Sequence, residues 1–175
     1  MENATEPTRV EYGPVRVIGL RCAGKNEHGE FSALWGGATG FIARMGEVIS
    51  GPEGKYEDSG RHPVFGLCRC LPGVTDGSIE YIAGVIAAPD APIPPGMVEA
   101  YIPRATYVVF PLIGLDQIMP TWQAVPAWMA EHPEWQGYCG PQGCDCAAYP
   151  AFEFYPPDFG VDGQMFIYVP VRTSE

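Results

Sequence analysis

The sequence predicts an α+β fold: two pseudo-symmetric β-α-β-β units forming an antiparallel sheet, with helices packed on it and a cleft between the halves. Three observations carry that prediction. Short runs rich in β-branched residues alternate with one helical-period run in each half of the chain. The order of these runs nearly repeats on either side of a proline-rich connector, Pro89-Asp-Ala-Pro-Ile-Pro-Pro-Gly96. A β-α-β-β unit cannot bury both faces of its own sheet, so two such units must pack as a pair. The expected organisation is a single domain over 1–175, with pseudo-repeats at about 12–88 and 97–172 and the connector at 89–96.

Each element follows from local pattern. The first seven residues read as a frayed tail. Val15, Val17 and Ile18 give a strand from Val15 to Cys22, and a polar loop over 24–29 follows. Leu34, Trp35, Ala38, Phe41, Ile42, Met45, Val48 and Ile49 then recur at helical spacing over about four turns. Gly51-Pro52 is expected to stop that helix. Its other face holds Gly36, Gly37, Gly40 and Gly46, each costing up to about 1 kcal/mol in a helix interior. Small side chains there would serve close packing on sheet backbone, or room for a ligand. A loop with Lys55, Glu57 and Asp58 leads to strands over 64–71 and 79–88, joined by turn-forming residues from Pro72 to Ser78. Past the connector, 97–102 and 106–112 read as strand, broken at Pro103-Arg104. A second helix over about 120–131 places Trp122, Val125, Trp128 and Met129 on one face. Pro120 suits its first turn, and Pro126 is expected to kink it. Strands over 152–155 and 165–171 complete the second unit.

Composition narrows the function classes. With 46% hydrophobic and 18% charged residues the chain can bury a core and is not a disordered segment. Ten Lys and Arg against 21 Asp and Glu leave a formal charge of −11, so no basic patch replaces phosphate counterions and direct nucleic-acid binding is not expected. Acidity permits cationic ligands, although by itself it mainly reports solubility. No run approaches the ~18 apolar residues of a membrane span. Without a signal-peptide pattern either, the expected setting is cytoplasmic with no membrane partner.

The cysteines and histidines point away from metal and nucleophile chemistry. Cys139, Cys144 and Cys146 sit in a glycine-rich loop with spacings C-x4-C and C-x-C, and Cys68 and Cys70 share one face of a strand. None of these matches the paired C-x2-C of a zinc ribbon, and a disulfide framework is unexpected without a secretory context. Buried or loop thiols are therefore expected, with no metal and no cofactor. His28, His62 and His132 lie in no catalytic motif, and Gly36-Gly37-Ala-Thr-Gly40 lacks the Gly-Lys-Ser/Thr of a phosphate loop.

Carboxylates inside apolar strands are more suggestive. Glu80 and Glu99 each suit a solvent-facing strand position. Glu153 stands apart, because every neighbour in Ala151-Phe-Glu-Phe-Tyr-Pro-Pro157 is aromatic, alanine or proline. Strand alternation sets Phe152 and Phe154 on one side and Glu153 and Tyr155 on the other. In a half-buried pocket such a carboxylate is costly to desolvate and favours a cationic partner, which aromatic faces also attract. Trp35, Trp122, Trp128 and Trp135, with Tyr81, Tyr101, Tyr107, Tyr138 and Tyr155, supply candidates for an aromatic cage, although residues of this kind serve more often as core than as ligand contacts.

Three segments bear a family resemblance. They are Val17-Ile-Gly-Leu20 followed by Leu34-Trp35; Ile102-Pro-Arg-Ala-Thr-Tyr-Val-Val-Phe110; and Phe152-Glu-Phe-Tyr155 with Met165 to Pro170. Their order and spacing resemble the GyrI-like small-molecule-binding superfamily. That group includes effector-binding domains of drug-responsive transcription activators and free-standing integron-cassette proteins that bind drugs. The resemblance implies an aromatic cleft between the repeats, with Glu153 matching the deep glutamate that pairs with a cation, and Trp35, Tyr107 and Tyr155 near the cleft. With no helix-turn-helix segment ahead of it, the chain is expected to sense or sequester ligand without binding DNA. The leading expectation is therefore binding of amphipathic, cationic small molecules by Glu153, Tyr155, Trp35, Tyr107, Tyr81 and Trp122, without catalysis. Two alternatives stay open: a hydrolase of strained electrophiles with Glu153 as general base, and a protein-binding inhibitor of the gyrase-inhibitor type.

Overall fold

Period-2 alternation of β-branched and aromatic residues organises most of the chain into strands. The computed structural model describes residues 6–49, 62–140, 143–157, 159 and 163–173. The strands are β1 (Thr8–Tyr12), β2 (Val15–Gly24), β3 (Val64–Cys70), β4 (Ile79–Ile86), β5 (Val98–Ile102), β6 (Ala105–Ile113), β7 (Trp135–Gly137), β8 (Cys139–Gly140), β9 (Gly143–Cys144), β10 (Ala151–Tyr155) and β11 (Gln164–Thr173). Eight of them lie in the order β1-β6-β11-β10-β3-β4-β2-β5, with β7 on the far end of β11 and β8–β9 a separate ribbon. Every pairing is antiparallel, as expected for an α+β fold.

The strand order contains an exchange that local pattern does not show. β1 leaves its sequence neighbour β2 to pair with β6, Tyr12 facing Ala105. β5 in turn pairs with β2, Val15 facing Ile102. The two connections meet: Gly13, at φ 86°, packs so closely on Pro103 that an added Cβ would sit 2.8 Å from its carbonyl carbon. Beside that meeting Ile102, Ala105, Tyr12 and Val15 join one core. Residues 8–12, to which the sequence reading assigned no element, are thus an edge strand.

The helices differ more from expectation. The four-turn helix over 34–49 is three single turns instead, α1 (Glu30–Ala33), α2 (Phe41–Arg44) and α3 (Gly46–Ile49). The glycines explain the break. Gly37 adopts φ 78°, a left-handed conformation that ends a helix, and Gly40 packs onto the backbone of Gly36 in a tight turn. A Cβ at Gly36 or Gly37 would meet nothing within 4 Å, so neither glycine makes room against the sheet. The Gly51-Pro52 stop and the loop with Lys55, Glu57 and Asp58 lie outside the described residues. α4 (Ile118–Glu131) begins two residues before Pro120, led by a 3-10 turn at Leu115–Gln117, with Pro126 inside it. Among the described residues no helix is long and apolar enough to cross a membrane.

Both sheet faces are apolar. The helix-covered face carries two clusters. One, under α1–α3, contains Ile18, Phe41, Val48, Tyr81 and Val85; the other, under α4, contains Val108, Phe110, Val125, Met165 and Ile167. The opposite face, on which no described helix packs, closes on itself around Phe65, Leu67, Ile82, Tyr107 and Phe152. The expected free thiols need one correction. Cys70 at the end of β3 forms a disulfide with Cys146, 76 residues away, and the Cys70 N–H donates to Cys146 Sγ at 3.0 Å. Spacing could not reveal this bridge, because the fold alone brings the end of β3 beside the segment preceding β10.

Candidate ligand-binding site

At the centre of the sheet β10 pairs with β3, Glu153 facing Gly66, and on its other side β10 pairs with β11, Glu153 facing Ile167. Alternation sends Phe152, fully buried, to the helix-free face. Glu153 and Tyr155 point the other way, into the space between α1–α3 and α4. Glu153 is only 6% exposed. The Tyr81 hydroxyl donates to its Oε2 at 2.7 Å and the Tyr155 hydroxyl to the same oxygen at 3.0 Å. The Trp122 indole N–H donates to Oε1 at 3.1 Å. Trp35 extends the network, its indole N–H donating to the Tyr81 oxygen at 3.0 Å. A carboxylate offers about four acceptor positions, so these three donors leave one on Oε1.

No described ion pair involves Glu153. Burial therefore pushes its carboxyl above the usual range, while the three hydrogen bonds pull the other way and only partly compensate. Burial, with the Glu153 charge nearby, also raises the Tyr81, Tyr155 and Cys68 groups. The tyrosines therefore remain protonated donors. Above them lies a cavity of about 740 Å³ whose walls include Trp35, Tyr81, Trp122, Glu153 and Tyr155. That volume falls within the ~300–1,000 Å³ typical of small-molecule sites.

Five of the six residues anticipated from sequence meet there. Tyr107 does not. Alternation in β6 puts Tyr107 beside Val109 on the helix-free face, while Val108, Phe110 and Leu112 face α4. Tyr107 is fully buried against Tyr12, Phe152 and Tyr168, and it stands on the far side of the sheet from the cavity. Trp128 stacks on His132, Trp135 lies under Arg9, and Tyr138 stacks on Tyr149, all away from the site. Glu80 is buried instead of solvent-facing, and is neutralised by Arg21 and Arg69. Glu99 pairs with Arg16 at 2.9 Å.

The cavity also has walls that sequence pattern did not single out. Phe31 stacks flat on Tyr81, with centroids 4.6 Å apart and planes 5° from parallel. Phe159 meets Tyr155 edge-on at 5.3 Å. Ile42, Leu115 and Met119 line the rim while 56%, 60% and 55% exposed. Such an exposed apolar rim is a signal of binding surface that only accessibility reveals. Among the described residues no cluster of three or more His, Cys, Asp or Glu could hold a metal ion.

Comparison with known proteins identifies related domains. The profile of the GyrI-like small molecule binding domain matches residues 5–172. The transcriptional regulator BrlR of Pseudomonas aeruginosa is 26% identical over 167 residues, covering 93% of this chain but 54% of BrlR, so the chain spans about half that relative's length. In structure, SAV2435 bound to tetraphenylphosphonium superposes with a TM-score of 0.67 at 14% identity, over 96% of this chain and 94% of that one. The integron cassette protein VCH_CASS2 from the mobile metagenome of Vibrio cholerae gives 0.55 at 17% identity, over 95% of each chain. At these identities the structural likenesses speak to fold.

Proposed function

The chain belongs to the GyrI-like small molecule binding family, and from that premise we propose that it binds amphipathic cations such as drugs, dyes or amine metabolites. One observation carries the reading: Glu153 is a buried carboxylate on a cavity wall, hydrogen-bonded by neutral donors and joined by no described ion pair. A ligand cation would supply the opposite charge and be attracted by the surrounding ring faces. The apolar rim at Ile42, Leu115 and Met119 would take the ligand's hydrophobic body. The tetraphenylphosphonium bound to SAV2435 supports this class, being both greasy and cationic.

Calorimetric titration with methyltriphenylphosphonium, against its uncharged analogue triphenylphosphine oxide, tests the proposal. Wild type should prefer the cation. Glu153→Gln should weaken the cation by about 2 kcal/mol or more, roughly 30-fold, and the neutral analogue far less. Equal affinities for the cation before and after substitution would overturn the assignment. Turnover of a strained electrophile that the same variant abolishes would support the hydrolytic alternative instead.

A further inference from the structure

Gly66 occupies a place that its backbone conformation does not explain. It lies in the middle of β3, directly across from Glu153, and is not among the glycines with positive φ. Room is what it provides. A Cβ built there would collide with both Tyr81 Oη and Glu153 Oε2, and would lie 2.8 Å from Tyr81 Cζ. The hydrogen bond from Tyr81 to Glu153 therefore passes through the volume that any other side chain would fill. Neither side chain can easily retreat. Tyr81 is stacked on Phe31 and held by Trp35, while Glu153 is held by Trp122 and Tyr155.

We infer that Gly66 is a specificity-determining position: its missing side chain lets Tyr81 brace the Glu153 carboxylate, and so makes the site select cations over neutral ligands of the same shape. This rests on the cation-binding reading above and adds a residue that touches no ligand. A methyl group at 66 must displace either the hydroxyl or the carboxylate. In both cases Glu153 loses its shortest donor, in a setting where burial already opposes the charge. A site that holds less negative charge distinguishes less between a cation and its neutral analogue.

The experiment compares affinities for methyltriphenylphosphonium and triphenylphosphine oxide in wild type, Gly66→Ala, Tyr81→Phe and the double variant. Gly66→Ala should lower the cation-to-neutral affinity ratio by about tenfold or more, the loss falling mainly on the cation. Both substitutions remove the same hydrogen bond, so the double variant should lose little more of the ratio than either single variant does. An unchanged ratio in Gly66→Ala, equal losses for both ligands, or strictly additive effects of the two substitutions would each overturn the inference. Should Gly66→Ala not fold, Tyr81→Phe decides it, since a ratio equal to wild type would show that the hydroxyl over Gly66 does not hold the charge. Glu153→Gln separates the two readings. If that variant keeps its cation affinity, the binding proposal fails; if it loses affinity while Gly66→Ala does not, only the role of Gly66 fails.

Discussion

Glu153 accepts three hydrogen bonds, yet burial outweighs them and its carboxyl titrates above the ordinary 4.5. The sign of the consequence follows from linkage. Between the unfolded value and the raised folded one, the folded chain holds the additional proton, so stability falls as pH rises through that window. The charged form of this side chain is a cost to the fold, retained where a ligand could use it. Relative to Glu153→Gln, wild type should therefore lose stability as pH rises from 4.5 toward neutrality. Thermal melts of both across that range check this, and a difference that stays constant with pH would contradict it. Part of this residue's role was legible from its neighbours alone, because a lone carboxylate between phenylalanines is unusual. The donors were not legible as a set: Tyr81 and Trp122 stand 72 and 31 positions from Glu153 in the chain.

Among elements, seven of the eleven strands were readable, whereas the short β1, β7, β8 and β9 and the broken first helix were not. Strand alternation in β10 depends on adjacent residues and survives folding unchanged. The apolar spacing from Leu34 to Ile49 is equally regular, but Gly36, Gly37 and Gly40 let the backbone turn, and burial of Phe41, Val48 and Ile49 is achieved by separate turns. Spacing registers which residues are buried and says little about how the chain bends between them. A measurement distinguishes the two forms. In a continuous helix Gly37→Ala would stabilise; at φ 78° it should destabilise by about 1 kcal/mol, although the added methyl touches nothing within 4 Å. Chemical denaturation of the variant gives the sign.

At the scale of the whole molecule the exchange of β1 and β5 joins the two halves more firmly than the central β3–β10 pairing alone. A fragment ending before residue 97 would lack β5 beside β2, and its own β1 would have no β6 to pair with. The fragments 1–96 and 97–175 should thus each lack a cooperative melt, and should regain one when mixed. Separate two-state transitions for either piece would show that the halves are independent. The sequence by itself determined the fold class, the strand alternation that turns Glu153 away from Phe152 and Phe154, and an acidic, aromatic-rich character, because these depend on composition and on residues close in the chain. Tertiary structure alone decided that Tyr107 faces the opposite core, that Cys70 meets Cys146, that Phe31 and Phe159 wall the cavity, and that a glycine makes space for a hydrogen bond. Each of those outcomes depends on which distant strands become neighbours, and the curl and exchange of the sheet set that only once the whole chain has closed.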